Sequence, residues 1–514
     1  MKPMALDPQQ KHYIKKNLQQ CSPSQMAGAL RIPEREITNY LKKQWRPEKY
    51  QKYIQRFLAN PTVTSFTFKK FFAENKFILA ILFALVVISY ANSIHNAFVS
   101  DDIPAITNNV ELGNFKFIFV SPLGFLNRIL TFIGFHLGGL NPSFFRIPNI
   151  FFHLGATWAA FLVLYLMAPR SLAIMTATLF AVHPILTESV TWISGNPYSQ
   201  HGFFFLLFFA FYILSKQKPK FFYISLVFFL LSISTLPRSF VMFGVVFLYE
   251  LFFGSLKESL KKLLPIFFIG FIPAVFLLSQ IAYRIRVLKD TYYLEPGMDS
   301  LFVKIPTSIF KYFYLIVWPD KLSLYQTEMI FTPWEYRFTV LIFLIYIGSI
   351  IYFYKKNKFL SFWLIFFIIP LLPTLTPMRI AWAVAERYNY IGYLGIFVVM
   401  AYIFYKLSEY KNFKIAVYMI FWLVIATLSL RTIVRNADWK SEESLWFATA
   451  KTSPSGSTIH NNLGNVYFQK GNYDKAIEEF GIAIQINPTY GDAYHNLGNT
   501  YYQIQQMPAA AQSY

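Results

Sequence analysis

Long apolar runs dominate the chain from residue 73 onward, and they constrain its fold more than any other feature. About eleven of them are long enough to cross a hydrocarbon layer of roughly 30 Å with some tilt. A surface facing water does not accommodate a chain that is 55% hydrophobic and 20% aromatic. The sequence therefore predicts an all-α polytopic membrane protein and excludes an ordinary soluble enzyme. The runs are 75–92, 146–167, 171–184, 200–215, 221–236, 239–254, 264–282, 337–354, 360–375, 391–406 and 414–431.

The positive charge of the chain predicts how these runs are oriented. The net charge is +21, and with the N-terminus in the cytosol every cytosolic turn carries Lys or Arg. This distribution favours a topological role for the charge, so nucleic acid is not an expected partner. An odd number of crossings places everything after residue 432 on the extracytoplasmic side. Residues 301–318 are interrupted by Lys304, Pro306 and Lys311, which favours an interfacial or re-entrant helix over a span.

Residues 1–71 form a polar, basic segment that we expect to stay in the cytosol, since they lack the pattern of a cleavable signal peptide. Residues 22–41 predict two short helices with a break at residues 31–33, similar to a helix-turn-helix. We favour a small helical cap over a DNA reader, because a membrane-tethered reader cannot search a chromosome freely. The single cysteine, Cys21, cannot form an internal disulfide.

The C-terminal region, 433–514, has the spacing of tetratricopeptide repeats. Leu497, Gly498, Tyr501 and Ala510 repeat a pattern found 34 residues earlier, and the second unit is incomplete at the last residue. Trp446 lies where an earlier repeat would place its large apolar residue, so we expect residues 438–446 to dock the repeats onto the membrane domain. That domain is predicted to cover 72–432, with outer loops at 93–145 and 283–336. The first full repeat is marked by Leu463, Gly464, Tyr467, Ala476, Phe480, Ala483 and Pro488.

An acidic pair, Asp101 and Asp102, follows the first apolar run on the outer side. Adjacent carboxylates repel each other, so one of them can keep a raised pKa and act as a general base. A solvated loop or a helix cap before Pro104 is the alternative. The residues alone favour neither interpretation.

Two further clusters leave later spans on the same side. His183 and Glu188 lie five residues apart and are candidates for one cavity mouth, although they lack the third ligand of a metal site. His183 also suits a helix end before Pro184. Arginines flanked by tyrosines suit a clamp on a phosphate or, equally, an interfacial anchor. These candidates for substrate and donor binding are Arg238, Arg379, Glu386, Arg387 and Tyr388.

Taken in order, these motifs resemble the transmembrane and tetratricopeptide-repeat family of GT-C-type glycosyltransferases, relatives of the protein O-mannosyltransferases. The resemblance covers roughly residues 75–514. It rests on Asp-Asp at 101–102, His-Pro-x-x-Thr-Glu at 183–188, Leu-Pro at 236–237, Val-Trp-Pro at 317–319, Ala-Glu-Arg-Tyr at 385–388 and the C-terminal repeats.

The resemblance implies an inverting transfer of a monosaccharide, with mannose expected, from a polyprenyl or dolichyl phosphate donor to a protein hydroxyl. It assigns the acidic pair to Asp101 and Asp102, the second outer segment to His183 and Glu188, and the late motif to Glu386 and Arg387. No metal is required, although a divalent ion could bridge the carboxylates and the phosphate. Relatives often carry Arg after the Ser-Gly that this chain has at 194–195, where it has Asn196.

Alternative functions and locations stay open at this point. The same chemistry could act on a glycolipid or an envelope polysaccharide, and a non-catalytic membrane scaffold would also explain the repeats. A transporter fits less well, because the polar candidates cluster at the outer ends of the spans. A bacterial inner membrane with periplasmic repeats and an endoplasmic reticulum membrane with luminal repeats satisfy the same topology.

Overall fold

The computed structural model describes residues 6–18, 23–30, 32–47, 49–50, 53, 66–121, 124–280, 283, 298, 300–329, 331–376 and 381–514. Within these ranges the regular elements are helices, and no strand is present. Arg379 lies outside the described residues, so its predicted role has no structural counterpart here. The N-terminal helices are α1 (Pro8–Asn17), α2 (Pro23–Leu30) and α3 (Glu34–Gln44).

These three helices share a small apolar core, as the pattern in residues 22–41 predicts. Asp7 begins α1 by accepting a hydrogen bond from the Gln10 amide at 2.7 Å, and the Gln10 side chain accepts one from the Asp7 amide in return. The break between α2 and α3 falls between Leu30 and Glu34. The core contains Ile14, Met26, Ala27, Ile37, Leu41, Tyr50 and Tyr53.

Each of the eleven predicted runs coincides with a helix of the membrane domain. Six of the described helices are long and apolar enough to span a membrane, or seven if Arg170–Val182 and Pro184–Thr191, bent by 55°, form one span. The number of eleven crossings stays a prediction. The helices are α4 (Phe68–Tyr90), α5 (Phe125–Gly138), α6 (Ser143–Met167), α7 (Arg170–Val182), α8 (Thr187–Thr191), α9 (Asn196–Leu214), α10 (Lys220–Thr235), α11 (Phe243–Phe253), α12 (Leu256–Ser279), α13 (Leu301–Val317), α14 (Pro333–Lys356), α15 (Lys358–Ile368), α16 (Tyr393–Ser408) and α17 (Lys414–Asp438).

The membrane domain has buried central helices and outer helices whose apolar side chains are exposed. The apolar stretch of the span that ends with α9 is 78% buried inside the protein. The apolar stretch of α14 is only 11% buried. Because α14 leaves its apolar side chains exposed, it has the surface expected of a helix that faces lipid. The chain is a multi-pass membrane protein.

Helix α13 accounts for the interrupted apolar segment at 301–318. It has 17 residues, fewer than the long spanning helices, and its two lysines are buried. Lys304 Nζ donates to the Thr376 carbonyl at 3.1 Å, and Lys311 Nζ donates to the Glu328 carbonyl at 3.5 Å. Both charges therefore point into protein.

The C-terminal helices pack in antiparallel pairs, as tetratricopeptide repeats do. Gly464 is required for this packing, since a Cβ there would lie 2.6 Å from the Phe480 ring. Helix α17 continues to Asp438, six residues past the predicted domain boundary at 432, and passes directly into the docking segment. The helices of this region are α18 (Glu442–Thr452), α19 (Ser457–Gln469), α20 (Tyr473–Ile486), α21 (Gly491–Gln503) and α22 (Met507–Ser513).

A buried aromatic cluster joins the repeats to the outer loops of the membrane domain. Trp439 is fully buried and its ring stacks on Trp192 at 5.7 Å. Trp446 belongs to the same cluster, as its repeat spacing predicts, and so does Val99 of the first outer loop. The Ala97 amide also donates to the carbonyl of Lys440 at 3.0 Å. The repeats and the loop that carries the acidic pair therefore lie on one side of the membrane domain.

Candidate active site

The acidic pair consists of two carboxylates in opposite environments. Asp102 is fully buried, and its Oδ1 accepts hydrogen bonds from the Ser194 amide at 2.8 Å and the Ser194 hydroxyl at 2.5 Å. Its Oδ2 accepts from the Val99 amide at 3.2 Å. Burial raises the pKa of Asp102 to about 6, against the lowering effect of these hydrogen bonds. Asp102 therefore fixes the first outer loop to the segment that follows α8.

Asp101, in contrast, is exposed to solvent. The described residues form no hydrogen bond to its carboxylate. The surrounding protein raises the pKa of Asp101 by removing part of its hydration, and the positive charge of Arg387 lowers it. The Asp101 carboxylate is thus accessible and lies within electrostatic reach of a fixed guanidinium.

Arg387 is held by Glu188, which lies 199 residues earlier in the sequence. Glu188 is fully buried; it accepts from the Arg387 amide at 2.7 Å and forms an ion pair with the guanidinium. The guanidinium also lies 5.2 Å from the ring centres of Trp192 and Tyr388. These contacts leave the Arg387 side chain 12% exposed, so one part of the cation still reaches the surface.

A second cation borders the same aromatic ring. The Arg238 guanidinium lies 4.6 Å from the centre of Tyr388 and 5.0 Å from that of Tyr198, whose hydroxyl it also hydrogen-bonds. Arg238, Tyr198 and Tyr388 line a small recess together with His201. Tyr388 therefore joins two arginines that are 149 positions apart in the chain.

Glu386 lies beneath this surface and is fully buried. It accepts from the Ser323 amide at 2.6 Å and lies 3.7 Å from the Arg435 guanidinium. Burial raises the pKa of Glu386 to about 8, and the Arg435 charge opposes this shift. Its contacts tie the Glu386–Asn389 turn to the loop after α13 and to the end of α17.

The chain is similar in sequence to several known proteins. A family model described as a TPR repeat matches residues 453–505. The human protein O-mannosyl-transferase TMTC3 is 26% identical over 506 residues, covering 85% of this chain and 54% of TMTC3. The human protein O-mannosyl-transferase TMTC1 is 25% identical over 498 residues, covering 80% of this chain and 55% of TMTC1. The chain is homologous to the TMTC proteins.

This homology confirms the resemblance that the sequence motifs indicate. The chain spans about half the length of the curated TMTC relatives that it matches. No solved structure matches the chain. The TMTC relatives are named protein O-mannosyl-transferases.

Of the candidates inferred from the sequence, the structure brings together Asp101, Glu188, Arg387, Tyr388 and Arg238. His183 lies apart from them. Its Nε2 bonds the Ile316 carbonyl at 3.0 Å, and its Nδ1 accepts from the Ile185 amide at 3.3 Å. This fully buried ring shapes the bend between α7 and α8, and it presents no surface for a donor.

The sequence did not identify three groups that lie around these residues. Ser194 stands in the segment that departs from the family pattern, and it holds Asp102. Arg146 is fully buried and donates to the carbonyls of Thr191, Asn96 and Ala97, which secures the start of the loop. The rings of Tyr325 and Trp382 stack with their centres 4.0 Å apart, and Tyr325 lies near Arg387. A charged residue at the start of an apolar run, as Arg146 is in 146–167, was the available signal.

The described residues hold no group of three or more His, Cys, Asp or Glu side chains placed to bind a metal ion. The expectation that the reaction requires no metal stays a prediction. Glu188 and Glu386 each contact an arginine and a backbone amide.

Proposed function

We propose that the chain transfers a mannosyl residue from a polyprenyl or dolichyl phosphate donor to a Ser or Thr hydroxyl of a protein acceptor. The observation that carries this proposal is the exposed Asp101 carboxylate, placed within electrostatic reach of Arg387 on the side of the repeats. A base and a cation at one surface suit a reaction in which a hydroxyl loses its proton while a phosphate gains charge. The TMTC relatives are named protein O-mannosyl-transferases, which supports mannosyl transfer to a protein acceptor.

The proposed step is a single displacement with inversion. Asp101 takes the proton of the acceptor hydroxyl while the hydroxyl oxygen bonds to the anomeric carbon. The bond between that carbon and the phosphate oxygen breaks, and polyprenyl phosphate leaves with the electron pair. Asp102 makes no contact with the reactants; its three hydrogen bonds keep the loop in place.

The arginines stabilise the charge that develops on the leaving phosphate. Arg387 is fixed in advance by Glu188 and two aromatic rings, so little reorganisation accompanies the reaction. Arg238 shares the Tyr388 ring with Arg387 and borders the recess, where it suits the same phosphate or the first part of the lipid. In this proposal Glu386 supports the turn that presents Arg387.

The repeats supply a surface for the acceptor beside the reacting groups. Holding a protein there raises its effective concentration at Asp101. The donor is a membrane lipid, so it approaches Asp101 and Arg387 from the lipid side. The proposed location is a bacterial inner membrane with periplasmic repeats or an endoplasmic reticulum membrane with luminal repeats.

The experiment is transfer of labelled mannose from polyprenyl phosphate mannose to a Ser/Thr-containing protein acceptor by the full chain purified in detergent. We expect Asp101→Asn to lower kcat by about 10²–10⁴-fold, the usual contribution of a general base. Glu111→Gln is the matched control, because Glu111 is an exposed carboxylate in the same outer loop. It should transfer at the wild-type rate.

The alternatives give different results in the same assay. Transfer to lipid or polysaccharide fractions, with none to protein, would replace the acceptor class. A wild-type protein that is folded but inactive with mannosyl and glucosyl donors would instead favour the scaffold function. Equal rates for Asp101→Asn and Glu111→Gln would refute the role of Asp101.

A further inference from the structure

The residue before the acidic pair has an unusual backbone conformation. Ser100 has φ of 53°, in the left-handed region, and among the described residues it shares a positive φ with only one other non-glycine residue, Gln505. Side chains with a Cβ adopt this region at a cost, so it persists where neighbouring contacts enforce it. Ser100 immediately precedes the exposed Asp101, and its φ helps set the direction of the chain there.

The contact that meets this strained residue comes from the repeat region. The Ser100 amide donates to Glu442 Oε1, and the two residues are 342 positions apart in the sequence. The other oxygen of Glu442 accepts from Trp446 Nε1 at 2.8 Å. Glu442 is the first residue of α18, and Trp446 lies in the aromatic docking cluster. One carboxylate thus connects the packed base of the repeats to the backbone of the first outer loop.

Asp101 is consequently fixed through both of its neighbours. Glu442 holds Ser100 on one side, and Ser194 holds Asp102 on the other. The described residues place no hydrogen bond on the Asp101 carboxylate itself. Its direction is therefore set by the backbone on either side.

We infer that Glu442 is a positioning residue for Asp101: by holding Ser100 in the left-handed conformation, the first helix of the repeat region aims the catalytic carboxylate. This inference rests on the proposed function, in which Asp101 is the base. It assigns the repeat region a role in the chemical step that is separate from binding the acceptor.

The experiment compares Glu442→Ala and Glu442→Gln with the matched control Glu443→Ala in the full chain. Glu443 is the adjacent carboxylate, but it pairs with Lys470 at the surface of the repeats. We expect Glu442→Ala to lower kcat by about ten- to a hundredfold, as a misplaced catalytic group does. KM for donor and acceptor should stay unchanged, and Glu443→Ala should behave as wild type.

Rescue by glycine separates positioning from general damage. Glycine adopts positive φ without the Cβ penalty, so Ser100→Gly removes the need for the Glu442 contact. We expect Ser100→Gly alone to retain activity and Ser100→Gly/Glu442→Ala to recover to within about threefold of it. Glu442→Gln keeps an acceptor oxygen and should lose less than Glu442→Ala. It also replaces the alanine variant if that variant does not fold.

The inference would be overturned if Glu442→Ala matched Glu443→Ala, if glycine gave no rescue, or if the loss appeared in the acceptor KM. The last result would place Glu442 in acceptor binding.

Amide hydrogen exchange over residues 97–105 gives a readout that does not depend on catalysis. We expect faster exchange there in Glu442→Ala and an unchanged rate in Glu443→Ala. If exchange responds while the wild-type protein transfers no sugar, the structural link holds and the proposed function fails. If wild type is active and Asp101→Asn is not, but both Glu442 readouts equal those of the control, the positioning inference fails alone.

Discussion

Replacing each aspartate of the pair by asparagine should separate a structural role from a chemical one. Asp102 accepts three hydrogen bonds in a fully buried position. In Asp102→Asn the remaining carbonyl oxygen can keep both contacts with Ser194, but the new amino group then faces the Val99 amide, so two donors meet. Losing a hydrogen bond to a charged acceptor and leaving a buried N–H unpaired costs about 1.5–3 kcal/mol. Asp101→Asn changes an exposed group and should alter the free energy of unfolding by no more than about 0.5 kcal/mol.

The assay is thermal unfolding of both variants in one detergent, run beside sugar transfer. We expect Asp102→Asn to unfold at a lower temperature than wild type. Asp101→Asn should unfold at the wild-type temperature but lose sugar transfer. Equal destabilisation of the two variants would refute the division of roles. So would an Asp102→Asn protein of wild-type stability that has lost transfer as completely as Asp101→Asn.

Three other changes test the rest of the site. Arg387→Lys keeps the charge but loses the planar guanidinium paired with Glu188, so kcat/KM for transfer should fall about tenfold or more; an unchanged value would contradict the proposed clamp. Because the surrounding protein raises the pKa of Asp101 above its ordinary value of 3.8, kcat/KM should rise with pH along an acid limb above that value. A pH–rate profile in which Asp101→Asn keeps the same limb would rule this out. Trp439→Ala removes a fully buried ring and should lower the free energy of unfolding by about 3–5 kcal/mol, measured in detergent against the exposed-site control Trp334→Ala.

The positions of the helices follow closely from the sequence. Each predicted apolar run overlaps a helix, because a backbone in lipid must satisfy its hydrogen bonds within its own segment. The repeat spacing likewise locates the C-terminal helices. Their exact ends depend on individual side-chain contacts: α17 extends to Asp438, whose carboxylate accepts from Arg435 Nη1 at 2.8 Å.

The sequence predicted most of the residues that meet at the site, but it did not predict the role of each one. Adjacent carboxylates in a sequence are equivalent, and only their surroundings distinguish the buried Asp102 from the exposed Asp101. Those surroundings come from Ser194, 92 residues away. His183 was also predicted as a site residue from its motif, but its ring nitrogens hydrogen-bond to backbone groups of the core.

The sequence by itself determined that this chain is an all-α membrane protein with C-terminal repeats, since hydrophobicity and repeat spacing are properties of local segments. Tertiary structure alone decided which carboxylate faces solvent, which acid holds Arg387, and that Glu442 reaches the first outer loop. These outcomes depend on burial and on hydrogen bonds between residues up to 342 positions apart. Such contacts exist only after the helices have packed.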